Sequence, residues 1–461
     1  MHSTRLRRTR VIAATLAASA LALTGCTAGG GSTNGGNSKT ITVAYGSDYV
    51  FDTPAQGKQW WQQVTTAFQK ANPGVTVKLV PIPGGFNDIV TKLSLLYRSP
   101  ATAPDVAQLP TEDMSLWASS GYLAPLNDRV KTADWWSRFP ASIKGETTLD
   151  GTVYGVSNGD NTNGLYYNIP MFKKAGIPTP WQPNTWADVL GAAAKIRDLK
   201  NGAWPLWLIG GNAGGTSALQ FSGGNLLVGG TSASIYDKTS KKWIVDSPGL
   251  REALQFYSDA AKQGLQAPAS ALLNPNAVVN SIASMAQRKI GIAVTGNFAG
   301  PTWTKPVCAP CFPDGPKTYG VAALPTAAGG GVASVLGGWS MSIGAKSGNP
   351  DLAWKFIDAA QSEKNLVAAA NGAGWVPPDS AAWSNPTYVN FAPPYQSFFA
   401  KVMPESTSFP NDPNFPVWAA GFGNATSEII QNPNTSVDAA IKTLSDYVTG
   451  QLGASAVTTL K

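Results

Sequence analysis

Residue types able to do chemistry are few in this chain, and they are unevenly placed. Of 461 residues sixteen are Trp and only one is His, namely His2. That histidine lies in a leader that reads as removable. Without it no imidazole remains, which excludes Ser–His–Asp and Cys–His nucleophiles and any His-ligated metal; no metal and no cofactor are expected. Glutamates beyond the leader number six (Glu112, Glu146, Glu252, Glu363, Glu405, Glu428), and only Glu112 stands beside a second acid, Asp113. Adjacent side chains usually point apart, a poor start for glycoside hydrolysis, which needs two carboxyls about 5–9.5 Å from each other. Loops that follow strands instead carry acids, amides and aromatic rings: Asp48, Glu112, Asp113, Asp160, Asn161, Asn297, Phe298, Trp303, Gly338, Trp339 and Trp375, with Trp418 just before a helix. Amides and carboxylates bond hydroxyls, and flat rings stack on C–H faces. The set therefore suits an uncharged, hydroxyl-rich small molecule held without covalent chemistry. A charged ligand would demand an anchor such as Arg, which is scarce in these loops.

The chain is long enough for roughly two to four domains at ~100–200 residues each. Its 43% hydrophobic and 13% charged residues are globular composition. Residues 1–25 read as a signal peptide: a basic start with Arg5, Arg7, Arg8 and Arg10, an apolar run Val11–Leu23, then Leu23-Thr24-Gly25-Cys26. Those thirteen apolar residues are too few to span a bilayer, which takes about 20. The four-residue run resembles a bacterial lipoprotein box, whose cysteine is acylated, so Cys26 is the expected lipid attachment; a plain secreted protein with a coincidental cysteine is the alternative. Gly, Ser and Asn dominate residues 26–38, a flexible tether. Losing the four leader arginines takes the net charge from +7 to +3, and no Lys/Arg stripe interleaves with aromatics, so nucleic acid is not an expected partner. Cys308 and Cys311 remain. Outside the cytoplasm a disulfide is the preferred reading; a thioredoxin-like redox pair would open a helix, whereas Pro306, Pro310 and Pro313 make this segment a loop, and zinc would need further ligands.

The elements that must position these residues alternate. Thr40–Tyr45 reads as a strand, Gln56–Ala71 as an amphipathic helix stopped by Asn72-Pro73-Gly74, Val75–Val80 as a strand and Asp88–Tyr97 as a helix. A strand at Asp105–Leu109 and a helix at Met114–Ser120 follow. Such alternation predicts an α/β fold with mainly parallel sheets flanked by helices. Within Gly151–Asn168, extended segments Val153–Val156 and Gly164–Asn168 flank a polar, Gly-rich middle that reads as a crossing between two lobes. Helices are expected from Thr185 to Leu199, Leu250 to Gln263, Asn349 to Ala360 and Ala419 to Ile430, with strands at Lys289–Thr295 and Tyr319–Leu324. Trp60, Trp117, Trp186 and Trp354 fall on helix faces and are expected to pack there.

Several segments, in this order and spacing, carry a family resemblance: Ala67–Val75 (AFQKANPGV), Pro104-Asp105-Val106, Trp117–Leu126 (WASSGYLAPL), Leu165–Asn168 (LYYN), Phe172–Ile177 (FKKAGI), Gly337–Ile343 (GGWSMSI) and Ala353–Ile357 (AWKFI). The chain resembles the extracellular solute-binding proteins of sugar ABC transporters, a family that includes maltose-binding protein, from Thr40 to about Val448. The resemblance implies a two-lobed periplasmic-binding-protein-like α/β fold. One lobe would comprise 39–158 and 337–372, the other 159–336 and 373–461, with hinges near Ser157–Thr162, Ser334–Gly338 and Asn371–Trp375. It further implies a carbohydrate in the interlobe cleft, ABC permease transmembrane subunits as partners, no catalysis, and a monomer lipid-anchored on the extracellular face of the cytoplasmic membrane. Asp48, Glu112, Phe298 and Trp418 stand about where relatives place ligand contacts, while Leu109 replaces a stacking Trp. A secreted glycoside hydrolase, an adhesion lipoprotein and a binder of a non-sugar polar solute are the alternatives.

Overall fold

The computed structural model describes residues 39–232, 234–303, 308 and 310–461; the expected signal peptide, the tether and Cys26 lie outside the described residues. The elements that position the site are, in chain order, strands β1 (Thr40–Gly46), β2 (Thr76–Ile82), β3 (Val106–Pro110), β4 (Val156–Asn161), β5 (Asn163–Asn168), β6 (Trp204–Trp207), β7 (Ile290–Gly296), β8 (Tyr319–Ala322) and β9 (Gly337–Ile343), and helices α1 (Pro54–Ala71), α2 (Phe86–Tyr97), α3 (Ala277–Ala286), α4 (Glu363–Ala373) and α5 (Phe415–Gln431). Helix α1 shows why the sequence folds locally as it does. Thr53 caps its start, accepting from the Gln56 N–H at 3.2 Å, and Pro54 takes the first turn, where a missing N–H costs nothing. Trp60, Trp61, Val64 and Phe68 recur at helical spacing and are buried.

Two sheets result. The first runs β2-β1-β3-β9-β4 and the second β8-β5-β7-β6. In the first, β1 pairs in parallel with β2 and β3, while β9 pairs antiparallel with both β3 and β4. In the second, β5 is antiparallel to β7 and β8, and β7 is parallel to β6. Each sheet is therefore mainly parallel with one strand running against the rest. That strand is the one that has just crossed from the other sheet, entering from the opposite direction. Around the first sheet pack α1, α2, α4 and the helix Pro350–Ala360; beside the second lie α3 and helices Trp186–Arg197 and Tyr395–Val402. Helix α5 joins Pro248–Lys262 and Val437–Leu452 in a further helical layer. The protein has the two-lobed α/β fold.

The crossing is sharper than the sequence suggests. The polar run Ser157–Asn161 is not a loop but lies within β4, fully buried, and only Thr162 separates it from β5. Its backbone pairs with β9.

Candidate ligand-binding site

A cavity of about 350 Å³ opens between the two lobes where the strand ends of the first sheet face α3 and the loop after β7. Trp339 and Trp375 line it together with Glu112, Asn161, Gly338, Phe298 and, at the rim, Asp48. Trp339 sits near the start of β9, opposite Pro110 of β3. Pairing with β4 slips between Trp339 and Ser340, the kind of bulge that re-aims a side chain. Its ring lies 6.5 Å from Tyr49 and 6.3 Å from Phe86 between centroids. Trp375 follows α4: Gly374, in the left-handed region at φ 74°, ends that helix, and the Trp375 N–H donates to Ala370 O at 3.0 Å. Phe51 packs 5.4 Å from the Trp375 ring.

Close backbone approach fixes both tryptophans. A Cβ at Gly159 would lie 2.0 Å from the Trp375 ring, and one at Gly338 would lie 2.2 Å from Gly159 O. Thr111 ties the strand ends together, accepting from the Gly338 N–H at 2.8 Å.

Acids gather on the same side. Glu112 lines the cavity and also a small chamber of about 20 Å³ shared with Thr111, Glu146, Gln220 and Asn411, room for one water. Burial and the neighbouring Asp113 push the Glu112 carboxyl up to about 8. Behind it lie Glu146 and Asp160: burial raises both carboxyls, and the Asp160 charge raises Glu146 further. The Ser157 hydroxyl donates to Asp160 Oδ2 at 2.7 Å.

Five of the residues expected at the site fall elsewhere. Asp113 turns away from Glu112 and lines a neighbouring cavity of about 380 Å³ with Phe86, Leu116 and Leu219. Asp160 is fully buried, and its backbone pairs with Val376, bonding it in both directions. Asn297 spends its side chain on backbone: Oδ1 accepts from the Thr162 N–H at 2.8 Å and Nδ2 donates to Gly374 O at 2.7 Å, lashing one crossing to another. Trp303 is fully buried among Tyr166, Phe312, Tyr319 and Tyr395. Trp418 is no pre-helix platform, because α5 begins at Phe415, three residues earlier. The ring is fully buried, stacks on Phe422 at 5.8 Å and donates from Nε1 to Ile244 O at 2.8 Å. Neither of these two rings lines the cavity.

Asp48 stays at the rim but spends its carboxylate on neighbouring loops, accepting from the Ser47 hydroxyl at 2.7 Å and from the Gly84 N–H, between β2 and α2, at 3.1 Å. Cys308 and Cys311 form a disulfide, Cα atoms 4.7 Å apart, and Pro310 between them touches the cavity. The cavity also uses residues that sequence reasoning passed over: Tyr49 and Phe51, in the loop that carries Asp48; Phe86, opening α2; and Val278, Val279 and Ile282 of α3. Loop position after β1 was the available signal for the first two; nothing marked α3.

Two α/β lobes exchanging strands around a shared cavity define the class of two-lobed binding proteins. The chain belongs to the bacterial extracellular solute-binding proteins, whose family model matches residues 52–367. It is similar to the mannitol-binding protein of Pseudomonas aeruginosa, 26% identical over 401 residues that cover 85% of this chain and 86% of that one. In fold it is similar to maltose-bound MalE3 of T. maritima, with a TM-score of 0.72 and 20% identity over 90% of this chain and all of the other. An ABC transporter solute-binding protein of Thermotoga lettingae, bound with α-D-tagatose, gives a TM-score of 0.70 at 23% identity, covering 89% of this chain and 100% of that one. Among the described residues no helix is long and apolar enough to cross a membrane, and no cluster of His, Cys, Asp and Glu is arranged to hold a metal.

Proposed function

We propose that this protein is the substrate-binding component of an ABC sugar importer, capturing a neutral mono- or oligosaccharide between its lobes and delivering it to a membrane permease. The observation that carries the reading is the cavity itself, where Trp339, Trp375 and Phe298 supply flat faces and Glu112 and Asn161 supply hydrogen-bonding groups. Contacts from both lobes are complete only when the lobes close, so ligand shifts the population toward the closed form. The lobes comprise 39–158 with 337–372 and 159–336 with 373–461, joined where Asn297 braces Thr162 and Gly374. Cys26, after cleavage of residues 1–25, carries the lipid that keeps the protein on the extracellular face of the cytoplasmic membrane. On this reading no reaction is catalysed; the adjacent acids Glu112 and Asp113 line different cavities, which supports it.

Calorimetric titration with mono-, di- and trisaccharides and polyols tests this. A saturable hit is expected, and Trp339→Ala should weaken it about 10–100-fold, the worth of a buried ring face. A best hit that binds Trp339→Ala and Trp375→Ala as tightly as the native protein would contradict the site.

A further inference from the structure

The two walls of the cavity differ in chemistry. On one side stand Asp48, Glu112, Trp339 and Trp375; on the other, α3 turns Val278, Val279, Ile282 and Ala283 toward the space, flanked by Phe298 and Pro310. Positions 278 and 282, and 279 and 283, are each four apart, so they form one stripe of the helix, while Ala277, Ser281 and Met285 are buried behind it. Val279 is 58% exposed, the most exposed large aliphatic side chain among the described residues, and it lies at the cavity. Of the second-lobe residues at the cavity, Asn161 and Thr302 carry polar side chains, neither of them on α3, and the Thr302 hydroxyl donates to Phe298 O at 2.9 Å. A sugar ring pressed against this wall would leave hydroxyls without partners, which costs more than the burial returns. An apolar group there gains what the hydroxyls would lose.

We infer that the α3 wall is a subsite for an apolar substituent, and that the preferred ligand is a glycoside whose sugar ring faces Trp339 and Glu112 while an aryl or alkyl aglycone lies along Val278, Val279 and Ile282. This rests on the sugar-binding reading and narrows it from sugars in general to glycosides with an apolar aglycone.

The test titrates the full soluble chain with paired α- and β-glycosides of glucose, galactose, mannose and xylose, methyl against phenyl, beside the free sugars. For the configuration that binds, phenyl is expected to exceed methyl by about tenfold, the effect of covering one face of a ring. Val279→Asn should erase most of that advantage, read as the phenyl-to-methyl affinity ratio within the variant, whereas Val279→Leu should keep it; because Val279 is exposed, both variants keep the core intact. Equal affinity for methyl and phenyl partners overturns the subsite and leaves sugar capture standing. A phenyl advantage that Val279→Asn does not alter overturns the assignment to α3. Silence from every sugar and glycoside overturns both readings together.

Discussion

Trp339 and Trp418 look alike in the sequence, each an indole near the edge of an element in a loop-rich neighbourhood, yet one lines the cavity and the other fills the core. Trp339, itself only 5% exposed, belongs to a crossing strand whose bulge and glycine neighbours bring part of the ring to the cavity. Trp418 sits in the first turn of α5, where it meets Trp243, Phe422 and the Ile244 carbonyl. The difference teaches that a tryptophan's role here follows from what the backbone does on either side of it, a crossing or a helix start, rather than from composition.

The largest effect should come from the core side. Trp418→Ala is expected to cost about 3–5 kcal/mol of stability in urea denaturation, as large-to-small core changes do, while the folded fraction binds sugar with native affinity. A loss of affinity without loss of stability would break the comparison. Next comes pH, which should act through the buried acids at and behind the cavity. Glu112 is raised to about 8 and Asp113 to about 6, with Glu146 and Asp160 also raised, all chiefly by burial. The folded protein therefore holds protons that the unfolded chain releases above about 4.5, the ordinary glutamate value. The stability these groups contribute is greatest below that pH and declines as pH rises toward 8, by at most ~1.4 kcal/mol per pH unit for each such group. Urea midpoints at pH 5 and pH 8.5 should fall in that order, and Glu146→Gln should flatten the slope; a midpoint that rises with pH would contradict it.

A smaller change sharpens the same comparison. Gly159→Ala places a methyl against the Trp375 ring and should cost about 1–3 kcal/mol as overpacking does, with weaker sugar binding because the ring must move. The smallest expected effect is Asp48→Asn. With both carboxylate oxygens already engaged by Ser47 and Gly84, calorimetry should show affinity changing less than about threefold.

Much of this was legible in the residues. The strand–helix alternation, the two lobes, and Glu112, Asn161, Phe298, Gly338, Trp339 and Trp375 at the cavity could all be read from pattern and resemblance. What could not be read depends on long-range geometry. Asn297 looks like a ligand amide until Thr162 and Gly374 are brought to it from 135 and 77 residues away. Ser157–Asn161 looks like a loop by its polar, glycine-containing composition, and only its pairing with β9, about 180 residues on, makes it a strand. The α3 stripe is an ordinary amphipathic pattern whose apolar face acquires meaning only from the cavity it borders.

The central claim is that two lobes close over the ligand held between them. Small-angle X-ray scattering of the soluble protein, with and without the best-binding sugar at saturation, tests it most directly. A smaller radius of gyration and a shorter maximum dimension on binding are predicted; superimposable curves at proven saturation would contradict the account.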